Sequence, residues 1–151
     1  MQAVVLADSF ANNFRPVTFQ QPKVLMPLVN VPMLEYTCEF LAAGGMHEIF
    51  IFCCSHKEEV KRYIHESDLE RRLGTVRLQV LIANGPCFSA GDALREIEAM
   101  DVITSDFVLV PGDVVANVQL APLIAEHKRR RQIDSNAVLT TLMKRVPLSH
   151  H

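Results

Sequence analysis

The chain of 151 residues lacks several features that would place it in a familiar class. No apolar run approaches the ~18 residues of a membrane-spanning helix, and no signal-peptide pattern opens the chain. Net charge is only −2, which gives no general attraction to nucleic acid or to an anionic membrane. With 49% hydrophobic and 21% charged residues, the sequence predicts a globular domain without a membrane partner or a specific nucleic-acid partner.

Familiar catalytic and metal-binding motifs are also missing. The sequence contains no P-loop, no GxGxxG and no Ser–His–Asp constellation, and Cys38, Cys53, Cys54 and Cys87 form no CxxC pair. Buried free thiols in a reducing compartment are the simpler interpretation of these cysteines. A metal site built from Cys53, Cys54 and His56 is the alternative, although no ligand-pair spacing supports it.

Apolar runs and helical patterns alternate along the chain, which predicts an α/β fold with a mostly parallel sheet. Residues 67–74 are charged and predict an exposed turn, and Ser55 to Glu58 resembles a capping box. The short apolar run 107–110 predicts a central strand. The other predicted elements are helices at 33–43, after residue 56, from about 89 and at 120–131, and strands at 48–54, 76–82 (near a sheet edge) and 138–143.

The first strand and the loop after it are the most informative stretch. The apolar residues Val4 to Ala7 stop abruptly at Asp8, as in a buried strand that leads into a loop. In an open α/β sheet, nucleotide phosphates usually bind at this carboxyl end of the first strand. The stretch therefore marks a candidate nucleotide site.

This stretch resembles the signature of the sugar-nucleotidyltransferase family, Leu-Ala-Gly-Gly-x-Gly-Thr-Arg-Leu-x-Pro followed by Pro-Lys. The residues that fit the signature are Leu6, Ala7, Pro16, Pro22 and Lys23. Asp8, Ser9 and Ala11 replace the three glycines, and Asn13 replaces the arginine. The resemblance implies a three-layer α/β/α Rossmann-like nucleotidyltransferase fold.

The replacements change the chemistry of the loop. Glycines let backbone N–H groups approach phosphate, and the arginine neutralises its charge. Asp8 adds a negative charge, which costs up to ~4 kcal/mol at about 4 Å from a phosphate if the carboxylate faces the site. We therefore expect a retained scaffold with a disabled phosphate loop.

The resemblance assigns roles to three further positions. It implies that Lys23 contacts phosphate and that Asp113, in Gly112-Asp113, holds Mg²⁺. A surface lysine, and an aspartate that caps a turn, are the structural alternatives. Gly91-Asp92 stands where the family holds the base with Gly-Thr-Ala, and Asp92 also suits the third position of a helix. We predict no cofactor and no catalytic residue, while residual affinity for Mg²⁺ or nucleotide stays open.

A closer resemblance covers almost the whole chain. The matching runs lie at residues 7–16, 21–28, 36–41, 52–54, 91–95, 105–114, 126–131 and 149–150. They are similar to the epsilon-subunit family of translation initiation factor 2B, the guanine-nucleotide exchange factor for initiation factor 2. The resemblance implies that residues 1–151 are the amino-terminal part of a nucleotidyltransferase-like domain, without the β-helix and the helical exchange domain that follow it in that family.

The family resemblance also implies a function. We expect a non-catalytic, cytoplasmic assembly and regulatory domain in translation initiation. Its implied partners are the gamma subunit and the other exchange-factor subunits, and initiation factor 2 through the full-length protein. The alternatives are an active sugar-1-phosphate nucleotidyltransferase that uses Lys23 and Mg²⁺ on Asp113, and a nucleotide-sensing module without turnover.

Overall fold

The computed structural model describes residues 1–8, 10 and 14–145. Its elements are β1 Gln2–Leu6, β2 Pro27–Leu28, β3 Val31–Pro32, α1 Met33–Ala43, β4 Glu48–Cys53, α2 Lys57–Glu66, α3 Leu69–Leu73, β5 Arg77–Ile82, α4 Ala90–Ala99, β6 Phe107–Pro111 and α5 Leu120–Ile133. Two single 3₁₀ turns, Val17–Phe19 and Lys23–Leu25, lie between β1 and β2.

A parallel sheet of four strands forms the centre of the fold, in the order β5-β4-β1-β6. The register places Val4 opposite Phe50 on one side and opposite Leu109 on the other. Parallel neighbours need crossover connections, which here contain α1, α2–α3 and α4. The predicted α/β fold with a mostly parallel sheet is confirmed.

The two central strands of this sheet, β1 and β4, are apolar because both faces of the sheet are covered there. All five residues of β1 are buried, as are Ile49 to Cys53 of β4. On one face, an apolar cluster joins the sheet to α4; its buried members are Val4, Leu6, Phe50, Phe52, Leu81, Ala93 and Ile97. On the other face, the side chains of Val5 and of Val24 in the second 3₁₀ turn both lie beside Gly112, in keeping with the alternation of side chains along a strand.

A buried carboxylate joins the three helices α1, α2 and α3. Glu35 of α1 is only 6% exposed. Its carboxylate accepts hydrogen bonds from the Tyr63 hydroxyl of α2 and from the Arg72 guanidinium of α3. Burial and the adjacent Glu35 raise the pKa of Tyr63. These contacts satisfy a charge that would otherwise be costly to bury.

Most predicted elements are confirmed. The helix predicted at 33–43 is α1, and Gly44 caps its end. The strands at 48–54 and 76–82 and the helices after 56, from 89 and at 120–131 correspond to β4, β5, α2, α4 and α5. As predicted, β5 lies at an edge of the sheet.

Four local predictions are wrong. Residues 67–74 contain α3, because Leu69 is fully buried and holds a short helix in place. No side-chain hydrogen bond caps α2, since His56 before it takes a left-handed conformation with φ 50°. Within the described residues β6 pairs only with β1, so it is an edge strand and not a central one. Residues 138–143 form no strand, and Val138, Leu139 and Met143 are exposed.

Backbone contacts divide the chain into two units, Met1–Asn117 and Val118–His151. The first unit contains the sheet and α1 to α4. In the second, Glu126 of α5 accepts hydrogen bonds from Arg129 at 2.7 and 2.8 Å and from Arg130 at 2.7 Å. His127 Nδ1 lies 2.9 Å from Thr140 Oγ1, which attaches the segment after α5 to the helix.

Candidate functional site

The predicted site residues lie in the segments that follow the carboxyl ends of the parallel strands. Asp8 comes just after β1, Asp113 just after β6, and Gly91 and Asp92 lie in the first turn of α4. Lys23 begins the second 3₁₀ turn of the segment between β1 and β2. Because all four strands are parallel, their following loops emerge at one edge of the sheet.

Lys23 and Asp113 form an ion pair with each other. Lys23 Nζ donates to Asp113 Oδ2 at 2.7 Å, and the two side chains are only 15% and 21% exposed. Nζ also lies 4.2 Å from the centroid of the Phe14 ring, within the range of a cation–π contact. The lysine charge is therefore neutralised by the carboxylate and covered by an aromatic ring.

Gly112 fixes the position of this ion pair. Its N–H donates to the Leu6 carbonyl at 2.8 Å, so β1 and the residue before Asp113 are in direct contact. A Cβ on Gly112 would lie 2.6 Å from Val24 Cγ1 and 2.9 Å from the Leu6 oxygen. Only glycine fits between β1 and the residue that follows Lys23.

Asp8 is engaged by the loop after β4. Its Oδ1 accepts the Ser55 N–H at 2.9 Å, and its Oδ2 accepts the Cys54 N–H. The Ala7 N–H donates to the Phe52 carbonyl at 2.9 Å, which continues the pairing of β1 with β4. The carboxylate thus accepts from the two amides that directly follow β4.

The other predicted loop positions, Ser9, Ala11 and Asn13, lie outside the described residues. The sequence alone therefore characterises them: no glycine and no arginine stands at these positions. The described part of the loop resumes at Phe14, whose ring covers Lys23.

Asp92 caps α4. The Ser89 hydroxyl accepts the Asp92 N–H at 3.2 Å, while Asp92 Oδ2 accepts from the Ser89 hydroxyl at 2.9 Å and from the Phe88 N–H at 3.0 Å. Hydrogen bonds from Ser89 and then Phe88 lower the pKa of Asp92. Beside it, a Cβ on Gly91 would meet nothing closer than 3.6 Å, so packing does not require glycine there.

The residues present do not fit a magnesium ion at Asp113. Mg²⁺ needs oxygen ligands in near-octahedral order, whereas Oδ2 of Asp113 already accepts from the Lys23 ammonium. Within the described residues, no cluster of three or more histidine, cysteine or carboxylate side chains surrounds it. A divalent cation bound at Oδ2 would have to displace the lysine first.

The four cysteines are free thiols. Burial raises the pKa of Cys38 and of Cys53 to about 12 in each case, so both remain protonated. His56 does not join them: its Nε2 lies 3.0 Å from the Thr18 carbonyl and its Nδ1 lies 3.7 Å from Glu59. In the described residues, no metal-binding cluster includes Cys53, Cys54 and His56.

Two contacts of the site had no signal in the sequence. Phe14 stands at the leucine position of the family signature, and nothing in the pattern indicates that its ring meets Lys23. The contact of His56 with the Thr18 carbonyl joins residues 38 positions apart. Both depend on the path of the segment between β1 and β2, which the hydrophobic pattern does not determine.

Comparison with known proteins gives the family. The family model described as nucleotidyl transferase matches residues 2–147. The chain belongs to the nucleotidyl transferase family. It is also similar to the translation initiation factor eIF2B epsilon subunits of Dictyostelium discoideum (45% identity) and Schizosaccharomyces pombe (41%), with 99% of this chain matched in each comparison.

The chain spans about a fifth of the length of these relatives, 21% and 22% respectively. Among solved structures, UDP-glucose pyrophosphorylase in complex with UDP-glucose superposes with a TM-score of 0.69 at 15% identity, over 86% of this chain and 54% of that one. The likeness confirms the predicted nucleotidyltransferase fold. In the part of this chain that the structure describes, no helix is long and apolar enough to cross a membrane.

Proposed function

We propose that this chain is the amino-terminal part of a non-catalytic assembly and regulatory domain in a guanine-nucleotide exchange factor for translation initiation factor 2. Its similarity to two epsilon subunits at 45% and 41% identity supports this role. Its fold is that of enzymes that transfer nucleotides to sugar phosphates, and its loop sequence departs from theirs at Asp8, Ser9, Ala11 and Asn13.

The ion pair of Lys23 with Asp113 carries the proposal. An active nucleotidyltransferase of this family needs the lysine for phosphate and the aspartate for Mg²⁺, and each group must be available to its ligand. Here the two groups bind each other at 2.7 Å with little exposure. Binding of a triphosphate to Lys23, with Mg²⁺ on Oδ2 of Asp113, would first have to break this pair.

The position of Asp8 adds support. Its carboxylate accepts two backbone amides of the loop after β4, so it has a structural task that glycine in the family signature does not perform. A negative group held at this place also disfavours a phosphate in its vicinity. Asp8 thus stabilises the fold and disfavours anion binding.

Exposed apolar side chains support a role in assembly. Between residues 14 and 29, the exposed large apolar residues are Phe14, Val17, Phe19, Leu28 and Val29. Val29 is 84% exposed and has φ 63°, a conformation that is strained for a β-branched residue. Partner proteins commonly cover such surfaces. The proposed partners are the gamma subunit and the other subunits of the exchange factor, in the cytoplasm.

The first test measures catalysis by the full-length protein. Purified protein is incubated with Mg²⁺, each common nucleoside triphosphate and glucose-1-phosphate or mannose-1-phosphate, and released pyrophosphate is quantified. We expect no release above a no-enzyme blank, with a UDP-glucose pyrophosphorylase as the positive control. Turnover that is lost on Lys23→Ala substitution would show that the alternative, an active transferase, is correct.

The second test measures assembly. The full-length protein is tagged and co-purified with its gamma partner and with initiation factor 2, and the same is done after deletion of residues 1–151. We expect the deletion to reduce recovery of the gamma partner, whereas calorimetry with GTP, ATP and nucleotide sugars gives at most millimolar affinity. Micromolar nucleotide binding with unchanged recovery of the partner would instead identify a nucleotide-sensing module.

A further inference from the structure

Two partly exposed thiols pack against one apolar cluster at the carboxyl edge of the sheet. Cys54 follows β4, and Cys87 lies in the loop between β5 and α4. Both are free, partly buried and packed against the same apolar cluster beneath α4. Burial, and then interaction with the Cys87 side chain, raise the pKa of the Cys54 thiol.

The path of the backbone explains why residues so far apart in sequence meet. β4 and β5 are parallel neighbours with Cys53 opposite Ile82, and the Ala83 N–H donates to the Cys53 carbonyl at 3.0 Å. The chain then turns at residues 84–86, and the Cys87 thiol donates to the Gly85 carbonyl at 3.9 Å. This turn returns Cys87 to the apolar cluster against which Cys54 also packs.

We propose that Cys54 and Cys87 form a dithiol site that closes to a disulfide under two-electron oxidation and binds thiophilic reagents of the trivalent arsenical class. With hydrogen peroxide as oxidant, the two S–H bonds break and one S–S bond forms. The two protons and two electrons reduce the peroxide to two molecules of water. The two remaining cysteines, Cys38 and Cys53, are fully buried and take no part.

Closure of this site would tie together the loops of the candidate nucleotide site. Cys54 donates its N–H to Asp8, and Cys87 directly precedes the Phe88 N–H that donates to Asp92. A disulfide would therefore fasten the first turn of α4 to the end of β4 and, through Asp8, to β1. The dithiol site does not depend on the proposed role in initiation, since it follows from the fold of the first unit alone.

The raised pKa of Cys54 sets how the site reacts. A thiolate attacks an oxidant far faster than a thiol does. Because burial keeps Cys54 protonated at neutral pH, we expect closure to be slow at pH 7 and to accelerate as pH rises. Phenylarsine oxide, which needs two neighbouring thiols, is a probe that reports their proximity without an oxidation step.

The experiment maps which cysteines react in the folded chain. The chain is treated with hydrogen peroxide or with phenylarsine oxide, remaining thiols are blocked with iodoacetamide in denaturant, and the peptides are identified by mass spectrometry. After peroxide treatment we expect the chain to lose two mass units and to give a cross-linked peptide pair containing Cys54 and Cys87. Cys38 and Cys53 should be alkylated. Uptake of one arsenical per chain should protect the same two residues.

Matched variants test whether the cross-link and the arsenical uptake require Cys54 and Cys87 in particular. Cys87→Ser should remove both the cross-link and the arsenical uptake, whereas Cys38→Ala should retain both. Alkylation of all four cysteines after oxidation of the wild-type chain, or a disulfide between two chains, would overturn the proposal. The wild-type map decides the question even if a variant fails to fold.

Discussion

Lys23 Nζ lies 2.7 Å from Asp113 Oδ2, although the two residues are 90 positions apart in sequence. The contact joins the segment after β1 to the loop after β6, and both side chains are largely shielded from water. Shielded ion pairs interact more strongly than exposed ones, and removal of one partner leaves the other charge poorly solvated. The pair should therefore stabilise the folded chain. It also occupies the two side chains that would bind phosphate and Mg²⁺.

Substitution of Lys23 by Met tests this contribution. We expect the free energy of unfolding to fall by about 1–3 kcal/mol, between the values typical of exposed and of fully buried pairs. Urea denaturation of the single variants Lys23→Met and Asp113→Asn and of the double variant gives the coupling energy. As a control, Arg71→Met removes an exposed pair with Asp68, whose side chains are 78% and 67% exposed. Equal effects at the two pairs would contradict the prediction.

Substitution of Gly112 by Ala tests the close approach beneath the ion pair. The added Cβ would lie 2.6 Å from Val24 Cγ1 and 2.9 Å from a backbone oxygen of β1, so the second 3₁₀ turn must shift. We expect a loss of about 1–3 kcal/mol in unfolding free energy, measured by thermal and urea denaturation. A crystal structure of the variant should show a lengthened contact between Lys23 and Asp113.

Gly91→Ala is the matched control. Its Cβ would make ordinary contacts at 3.6 and 3.7 Å, and alanine favours a helix by up to ~1 kcal/mol over glycine. We expect unchanged or slightly higher stability. If both alanine variants behave alike, the glycine of the Gly112-Asp113 pair has no steric role.

The fold could be predicted because it depends on local patterns that recur along the chain. Buried runs such as residues 48–54 predict strands by composition alone, and Gly44 ends α1 as expected. The hairpin of β2 and β3 was not predicted, since each strand has only two residues and includes a proline. Residues 138–143 are all apolar or β-branched, as in many strands, but a strand also needs a neighbour with which to pair, and a pattern does not reveal one.

The candidate site was only partly predictable for a related reason. The family signature indicates that Lys23 and Asp113 belong to one site, but not that they bind each other. The aspartate at position 8 indicates a negative charge in the loop. The direction in which its carboxylate points depends on the amides of Cys54 and Ser55. Contacts between distant loops follow from the assembled sheet, which no local pattern contains.

Glu35→Gln tests the buried carboxylate that joins α1 to α3. The substitution removes a charge that accepts from Tyr63 and Arg72, and it turns one acceptor into a donor facing the same groups. We expect a loss of about 1–3 kcal/mol in unfolding free energy, since Arg72 is itself 47% exposed and part of its interaction is screened.

Glu39 provides the comparison for this carboxylate. It also pairs with Arg72, but at 3.6 Å and with its side chain 52% exposed. Glu39→Gln should change the stability by less than about 1 kcal/mol. Chemical denaturation of both variants at one ionic strength measures the difference, and a larger loss for Glu39→Gln would show that burial does not control these pairs.

Glu126 of α5 should titrate at unusually low pH. Hydrogen bonds from Arg129 and then Arg130 lower the pKa of its carboxyl from 4.5 to about 2. A pKa that is lower in the folded state stabilises the protein above pH 4.5, and the contribution disappears as pH falls through about 2. Carbon-detected NMR of the side-chain carboxyl from pH 6 to pH 1.5 measures the midpoint. In the double variant Arg129→Met, Arg130→Met we expect this midpoint to return toward 4.5, and an ordinary midpoint in the wild-type chain would mean that the two arginines do not hold the carboxylate in solution.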